Sequence, residues 1–439
     1  ARPEKNVGAG TMKREYIDTL IVGAGVAGMN CALHLPKETQ ALVICKGGLK
    51  ESDSFLAQGG ICVLHDKGDE QSYFEDTMRA GHYENNPDAV RCMIRHSRET
   101  IDELIAYGVR FERTESGELA YTREGAHSRP RIVFHADCTG KEISSHLLRA
   151  VKKLPNVRLM PHTTMVDLLF DEGKTQCLGA LVRDNRTGEL TAVLAGNTVL
   201  ATGGVGGLFR HSTNFRILTG DGVGVALEHG IAVDHPDYVQ FHPTTLYTQR
   251  RGRSFLISES VRGEGAQLIN AAGERFVDEL LPRDVVTAAI RKEMRKEGSK
   301  FVRLDLRTVA GGEETLLHHF PGIVERCREE GYDVLSEPIP VVPAQHYFMG
   351  GVRSDLSGRT TMPHLYAVGE TCCNGVHGRN RLASNSLLEA LIFARRAADD
   401  IAKGARARGT AVIPAREYDQ KQERARHALV TKEVDREHK

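Results

Sequence analysis

Three glycines near the amino terminus have the spacing of a loop that can approach a phosphate closely. They are Gly23, Gly25 and Gly28, in the pattern GxGxxG. The first glycine permits a tight turn, the second lets the backbone approach a pyrophosphate, and the third lets a helix pack closely against a strand. The phosphates then lie at the amino terminus of that helix, where unpaired N–H groups point outward. The segment therefore predicts a dinucleotide site, formed by Gly23, Ala24, Gly25, Val26, Ala27 and Gly28.

The segments around these glycines have the order that such a site requires. Residues 18–23 form an apolar run typical of a buried strand, residues 29–35 have helical character, and residues 40–45 predict a second strand. A plain nicotinamide-dinucleotide site has Asp or Glu at the end of the second strand, where it binds a ribose hydroxyl. Lys46 follows here instead, so a nicotinamide dinucleotide is less favoured. A lysine at this position can approach a phosphate or an oxygen of a flavin.

Two later segments repeat the pattern of a strand followed by glycine. Residues 197–204 predict a buried strand that ends in the sequence ATGG, and residues 365–370 predict a third strand that ends in Glu370. Together with the early GxGxxG, this order is typical of large two-domain flavoproteins that bind FAD. Glu370 is then expected at a helix amino terminus, beside the ribityl chain or the pyrophosphate.

Composition excludes several other classes of protein. The chain has 439 residues, which predicts two or three domains, and its 58 basic residues balance 58 acidic ones. A general nucleic-acid binder needs a basic surplus, so that class is not favoured. No apolar run approaches the ~18 residues of a membrane span, and residues 1–16 do not read as a signal peptide. Nine cysteines without a CxxC pair predict reduced thiols, no metal site and a cytoplasmic protein.

Several further motifs resemble those of the succinate dehydrogenase and fumarate reductase flavoprotein superfamily, over residues 17–405. The motifs are SDSFLAQGGI (52–61), TGDG (219–222), QFHPT (240–244), RGEGA (262–266), PRDVV (282–286) and HYFMGG (346–351). The resemblance implies an α/β fold, with a Rossmann-like FAD-binding domain (1–235 and 348–415) that has a parallel sheet and helices on both faces, an inserted α+β capping domain (236–347) and a C-terminal helical segment (416–439). This last domain is longer in the family, so here it is expected to be either shortened or truncated.

Within that superfamily, the chain most resembles the L-aspartate oxidase family. Dehydrogenases of the succinate branch attach FAD covalently to a histidine at the position of Asp53, so the resemblance implies non-covalent FAD. TREGAHS (122–128) resembles the oxidase segment that places a carboxylate, here Glu124, beside the substrate amine, and RNRLASNSLL (379–388) also matches. Two departures are Ala126, where the family usually has glycine, and Phe215, where proline commonly follows the asparagine.

The resemblance implies a set of site residues. Those expected to act on the substrate are Arg283, Glu124, His242, His346 and Arg381, with Thr244, Ser258, Glu259 and Gln240 in binding positions. Those expected to bind FAD are Gly23 to Gly28, Lys46, Ser52, Ser54, Ala57, Gln58, Gly59, Gly60, Ala201, Thr202, Gly203, Asn214, Asp221, Glu370, Asn385, Ser386 and Leu387. The histidines are expected to donate hydrogen bonds to the carboxylates, more strongly if protonated. Arg283 is expected to carry a proton or stabilise transition-state charge, because a guanidinium group strongly favours its charged form in water.

The implied reaction is oxidation of L-aspartate to iminoaspartate, with hydride transfer to N5 of FAD. Oxygen or fumarate is the implied electron acceptor, and iminoaspartate would feed quinolinate synthase in NAD biosynthesis. One alternative is a soluble fumarate reductase or succinate dehydrogenase-type flavoprotein, which Asp53 and Glu124 disfavour. Another is an FAD-binding electron-transfer or redox-sensing module, which has no use for Arg283, His346 and Arg381.

Overall fold

The computed structural model describes residues 12–249, 252–414, 418 and 420–435. Its helices are α1 Val26–His34, α2 Glu70–Ala80, α3 Pro87–Ala106, α4 Thr139–Val151, α5 Asp221–Glu228, α6 Glu259–Gly263, α7 Arg283–Glu297, α8 Gly312–His319, α9 Pro321–Glu329, α10 Ser386–Lys403 and α11 Gln420–Val434. Its strands are β1 Lys13–Val22, β2 Ala41–Cys45, β3 Gly60–Cys62, β4 Ile132–Phe134, β5 Val157–Pro161, β6 Thr163–Phe170, β7 Cys177–Asp184, β8 Leu190–Leu200, β9 Val233–Asp234, β10 Val239–Leu246, β11 Gln267–Ile269, β12 Val302–Asp305, β13 Ile339–Phe348, β14 Gly351–Arg353, β15 Leu365–Ala367 and β16 Cys372–Cys373.

A seven-stranded sheet forms the centre of the fold. Its order is β5-β2-β1-β8-β7-β6, and β15 pairs with the carboxyl-terminal end of β8. Successive side chains of β1 enter different cores: Ile21 faces the helices α1, α3, α4 and α10, whereas Leu20 and Val22 face α5 and β6. The fold is therefore the predicted α/β arrangement, with apolar layers on both faces of the sheet.

The expected parallel sheet is wrong for part of this arrangement. β1, β2, β5, β8 and β15 pair in parallel, but β6, β7 and β8 pair antiparallel. The connections at residues 171–176 and 185–189 are too short for a parallel crossover, which needs a dozen or more residues. Strand bounds also differ, since β1 begins at Lys13 rather than residue 18 and β15 ends at Ala367 rather than residue 370.

A second, four-stranded antiparallel sheet has the order β10-β13-β12-β11. It has its own apolar core, which includes Ile257, Val286 and Ile323 from the adjoining loop and the helices α7 and α9. In chain order, β10 is the first strand of this sheet and β13 is the last. β10 begins near the start of the expected capping domain at 236–347, and β13 ends near its end. That division of the chain into domains stays a prediction.

The helix α11 packs against α5 on the large sheet. Arg426 donates two hydrogen bonds to Glu228, at 2.9 and 2.6 Å, and Val430 and Val434 are buried beside Val223. The expected C-terminal segment at 416–439 is thus helical over Gln420–Val434, while residues 415–417, 419 and 436–439 lie outside the described residues. Among the described helices, none combines the length and the apolar character that crossing a membrane requires.

Candidate active site

The turn between β1 and α1 closes as the glycine spacing predicts. Gly23 has φ +122°, and a Cβ there would overlap the carbonyl oxygen of Ala201. A Cβ at Gly28 would overlap the carbonyl oxygen of Gly23, so only glycine lets the helix start this close to the strand. Gly28 therefore supports the turn from behind, whereas residues 23–27 line a cavity. α1 begins at Val26, three residues before the predicted helix, and its N–H donates to Ser54 Oγ at 3.1 Å.

The cavity has a volume of about 1630 Å³, counting its open mouth. The turns after β1, β8 and β15 meet along it, as expected for the carboxyl ends of parallel strands. Six buried side-chain atoms on its wall have no hydrogen-bond partner among the described residues: Ser52 Oγ, Asp53 Oδ2, Gln58 Oε1, Asn214 Oδ1, His242 Nε2 and Arg381 Nε. Buried polar atoms are normally paired, so these atoms fit a polar ligand. A glycine-lined cradle and these free atoms together fit FAD, which Ser52, Ser54, Gln58 and Asn214 would contact.

The nucleotide end of the cavity is formed by Gly23–Ala27, Lys46, Ala201–Gly203 and Asp221. Lys46 was expected to approach a phosphate or a flavin oxygen. Its Nζ instead donates to Asp221 at 3.1 Å and to Thr219 at 2.9 Å. Burial would raise the pKa of Asp221, but His427 on α11 and Lys46 lower it to about 2. No Asp or Glu stands at the end of β2, but Asp221 at the start of α5 places a carboxylate at the same end of the cavity.

Glu370 does line the cavity, but it lies in a 3₁₀ turn rather than at the start of a long helix. Its carboxylate accepts a hydrogen bond from the N–H of Phe348 at 2.9 Å. Burial and the neighbouring Asp53 raise its pKa to about 8. Asp53 in turn accepts the N–H of Phe215 at 2.9 Å. The proline that commonly stands at 215 has no N–H, so this hydrogen bond to Asp53 depends on the departure at Phe215.

The substrate end of the cavity is formed by Glu124, His242, Glu259, Arg283, His346 and Arg381. Arg283 is the first residue of α7 and forms a buried ion pair with Glu259 on α6. Arg381 donates to Ser386 at 2.7 Å and lies over the ring of Tyr347 at 4.3 Å. Burial and the nearby Arg283 lower the pKa of Arg381 to about 10, and its Nε has no hydrogen-bond partner among the described residues.

The surroundings of His242 and His346 favour their neutral forms, so the stronger hydrogen bonds of a protonated ring are not favoured here. Burial and the charges of the neighbouring arginines hold the pKa values of His242 and His346 well below the usual value. His242 Nδ1 lies 3.1 Å from the N–H of Thr244 and 3.2 Å from the carbonyl oxygen of the same residue. When Nδ1 accepts from that N–H, the proton of the neutral ring is on Nε2, which has no partner among the described residues and is then a donor for a ligand. His346 lies against His242, with the ring centroids 5.1 Å apart, and contacts Thr213 Oγ1 at 2.7 Å.

Glu124 is a buried carboxylate on the wall of the same cavity. It accepts hydrogen bonds of 2.6 Å from Ser260 on α6 and from Ser384, just before α10. Burial and the neighbouring Glu259 raise its pKa. None of the ion pairs found among the described residues involves Glu124, so its charge is available to a cationic ligand.

Most of the predicted residues line this one cavity, and four do not. Gln240 lies behind it and accepts from both Arg283, at 2.9 Å, and Arg381, at 3.4 Å, which fixes the separation of the two guanidinium groups. Thr244 donates to the carbonyl of Ile257, and Asn385 is hydrogen-bonded to Tyr73. With Gly28, these residues lie behind the wall and hold the residues that form it, and their contact with a ligand stays a prediction.

Several residues on the cavity wall were not predicted from the sequence. They include Thr213, Arg253, Leu256, Tyr347 and Ser384. Tyr347 and Ser384 stand within the motifs that were used, but their direction could not be inferred from the motif. Arg253, which donates to the carbonyl of Thr213 at 3.2 Å, belongs to no motif.

Comparison with known proteins identifies the same family. The model of the FAD binding domain family matches residues 18–387. An L-aspartate oxidase of Clostridium perfringens is 50% identical over 391 residues, covering 89% of this chain and 87% of that protein. An L-aspartate oxidase of Clostridium acetobutylicum is 46% identical over 385 residues, covering 88% and 87%. Among solved structures, an E. coli quinol fumarate reductase FrdA carrying a glutamate-to-glutamine mutation has a TM-score of 0.84 at 31% identity, covering 96% of this chain and 74% of that one. The chain therefore belongs to the L-aspartate oxidase family of FAD-binding flavoproteins.

Proposed function

We propose that this protein oxidises L-aspartate to iminoaspartate with non-covalent FAD. One observation carries the proposal: a single cavity presents a carboxylate, Glu124, and two guanidinium groups, those of Arg283 and Arg381. Aspartate has one ammonium and two carboxylates, so its charges match this set. Arginine is suited to planar carboxylates because its fork of N–H donors binds both oxygens.

The residues of the chain would bind and orient the substrate. Arg381 Nε and His242 Nε2 are free donors for carboxylate oxygens. Glu124 would hold the ammonium, and the Glu259 ion pair would fix Arg283 at the reacting carbon. When bound, FAD accepts the two electrons as a hydride. Arg283 would remain cationic and stabilise developing charge or pass on a proton.

Oxygen and fumarate are the proposed electron acceptors. Fumarate is a four-carbon dicarboxylate, so the pair Arg283 and Arg381 supports its binding. Iminoaspartate is an imine that water hydrolyses, which supports functional coupling to quinolinate synthase in NAD biosynthesis. The nine unpaired cysteines support a cytoplasmic location.

A fumarate reductase or succinate dehydrogenase-type activity is the second candidate, because solved quinol fumarate reductases share this fold at 31–32% identity. Glu124 distinguishes the two candidates. Without an ammonium to neutralise it, this carboxylate would disfavour succinate as the molecule to be oxidised.

The experiment is an anaerobic half-reaction. FAD-loaded protein is mixed with L-aspartate, and separately with succinate, and the loss of flavin absorbance is followed. Bleaching by aspartate alone is the expected result. Bleaching by succinate alone would assign the protein to the dehydrogenase branch, and bleaching by neither would refute both activities.

A further inference from the structure

The carboxylate of Glu124 is held from two sides by serine hydroxyls. Ser260 Oγ donates to Oε1 and Ser384 Oγ donates to Oε2, each at 2.6 Å. Ser260 is on α6, beside the second sheet, whereas Ser384 precedes α10 on the large sheet. Both serines are buried. The carboxylate therefore has one short hydrogen bond to each half of the cavity wall.

The direction of both hydroxyl protons is fixed by neighbouring donors. Ser258 Oγ donates to Ser260 Oγ at 3.2 Å, and the N–H of Gly60 donates to Ser384 Oγ at 3.4 Å. A hydroxyl has a single O–H donor, so each serine has only the bond to Glu124 for its own proton. Two donated O–H groups stabilise the ionised carboxylate over the neutral acid.

The backbone near Ser260 and Ser384 leaves room for the carboxylate of Glu124. Ser384 has φ +64°, a left-handed conformation that non-glycine residues rarely adopt and that costs free energy. Gly59 stands against Glu124, and a Cβ there would lie 2.5 Å from Oε1. Such local strain is retained where the geometry is used.

The charges that face Glu124 come from several elements. Glu259 and Arg262 on α6 and Arg283 on α7 act on it, and the thiol of Cys62 on β3 is also close. Burial and Glu259 raise the pKa of Glu124, while the two serines and Arg283 lower it. The serines therefore oppose the effect of burial directly.

We propose that Ser260 and Ser384 are positioning residues for amine selectivity: they hold Glu124 ionised, with its remaining lone pairs directed at the substrate ammonium. This inference rests on the proposed oxidation of aspartate. Neither serine was expected from the sequence to act at the site. Removing either hydroxyl weakens the binding of a dicarboxylate that has an amine and spares one that lacks it.

The test compares S260A and S384A with the wild-type holoenzyme. A hydrogen bond to a charged group is worth about tenfold, so KM for aspartate is expected to rise about tenfold in each variant. The acidic limb of kcat/KM for aspartate is expected to move upward by about one pH unit, because Glu124 then ionises at higher pH. The dissociation constant of succinate, read from the flavin spectrum, is expected to change less than about twofold.

Three further variants separate positioning from folding. S384G removes the same hydroxyl but suits the left-handed backbone, so it is expected to reproduce S384A even if alanine destabilises the fold. Ser144 in α4 has a buried hydroxyl without a hydrogen-bond partner among the described residues, so S144A is the matched control and is expected to leave every readout unchanged. In an E124Q background, the effect of S260A is expected to vanish, since the two side chains act as one unit.

Equal loss of aspartate and succinate binding would overturn the proposal, because it would show that the serines only join the two halves of the wall. An acidic limb that stays in place would also overturn it. A wild-type protein whose flavin is bleached by succinate and not by aspartate would instead refute the proposed function itself.

Discussion

At the nucleotide end of the cavity, main-chain atoms and glycines form most of the wall, and the charged side chains Lys46 and Asp221 neutralise each other. At the substrate end, the wall consists of buried charged side chains that come from separate segments of the chain. The first arrangement would bind a dinucleotide by its shape and by the main-chain N–H groups at the start of α1. The second depends on the balance of charges, because an unpaired buried charge is costly. One cavity thus combines a cradle that tolerates little change in volume with a cluster that tolerates little change in charge.

The charge balance at the substrate end fits the proposed substrate. On the wall, Arg283 and Arg381 face Glu124 and Glu259, and Arg262 is buried behind the wall, paired with Glu259 at 3.5 Å. With both histidines neutral and these five groups ionised, the set has an excess of one positive charge. Zwitterionic aspartate has a single net negative charge at neutral pH. Binding would therefore neutralise the cluster, which a substrate with two carboxylates and no amine would not do.

The largest effect is expected from Arg283→Gln at the substrate end. The substitution removes the partner of Glu259 and one carboxylate-binding group, so the rate of flavin reduction by aspartate is expected to fall by about 10²- to 10³-fold. Stopped-flow absorbance under anaerobic conditions measures this rate. FAD content is expected to stay near that of the wild type, since Arg283 is not at the nucleotide end.

Arg353→Gln is the matched control for this variant. Arg353 pairs with Asp234 on the exposed surface, so the loss of this pair is expected to leave the rate within about twofold. A similar rate in both variants would contradict the assignment of Arg283 to the active site.

The next effect concerns volume at the nucleotide end. In Gly23→Ala, the new Cβ would overlap the carbonyl oxygen of Ala201, and φ +122° strains any side chain. The cost of about 3 kcal/mol is expected to lower FAD affinity or stability by about 100-fold. Fluorescence titration with FAD measures the affinity, and thermal unfolding measures the stability. Gly188→Ala has φ +79° but open space around its Cβ, so it isolates the backbone strain and is expected to have a much smaller effect.

The contrast between the two ends also explains what could be predicted from the sequence. Gly23, Gly25 and Gly28 lie within a segment of six residues, and their spacing alone predicts the turn that the structure forms. Glu370 was placed correctly on the cavity, but the 3₁₀ turn that carries it was not foreseen. A local motif of this kind predicts the backbone conformation because the turn depends on main-chain atoms of neighbouring residues.

The substrate end could be assembled only from the family resemblance, and its details could not be predicted. Gln240 and Thr244 were expected to contact substrate, yet β10 has irregular register at Gln240/Phe241 and at His242/Thr245. A bulge redirects side chains along a strand, and simple alternation does not reveal it. Ser260 was missed because its importance depends on Glu124, which is 136 residues away in the chain. The antiparallel strands β6 and β7 were missed because long apolar runs suit parallel and antiparallel pairing alike.

Glu124→Gln would sharpen the comparison between charge and volume. The side chain keeps its size but loses its charge, so KM for aspartate is expected to rise about 10- to 100-fold. Binding of succinate is expected to be unchanged or tighter, because one buried negative charge is removed. The half-reaction with each ligand, followed by flavin absorbance, measures both. Equal weakening of the two ligands would mean that Glu124 serves the fold and not amine recognition.

The smallest effect is expected from the charge pair at the nucleotide end. The pKa of Asp221 is about 2, below its ordinary value of 3.8, although burial alone would raise it. A group with a lowered pKa in the folded protein stabilises it above the unfolded pKa, and this stability is lost as pH falls through 3.8 towards about 2. Asp221→Asn is therefore expected to cost about 1–2 kcal/mol of unfolding free energy near neutral pH and nothing in strong acid.

Denaturant unfolding at neutral pH and at successively lower pH measures this difference. Exposed Asp399→Asn is the control and is expected to leave the unfolding free energy nearly unchanged. The loss of the Lys46 pair is expected to be far less harmful to aspartate oxidation than Arg283→Gln, because Asp221 touches no group at the substrate end. If Asp221→Asn instead slowed flavin reduction in fully FAD-loaded protein, the two ends would be coupled and the division between a shape-dependent and a charge-dependent half would fail.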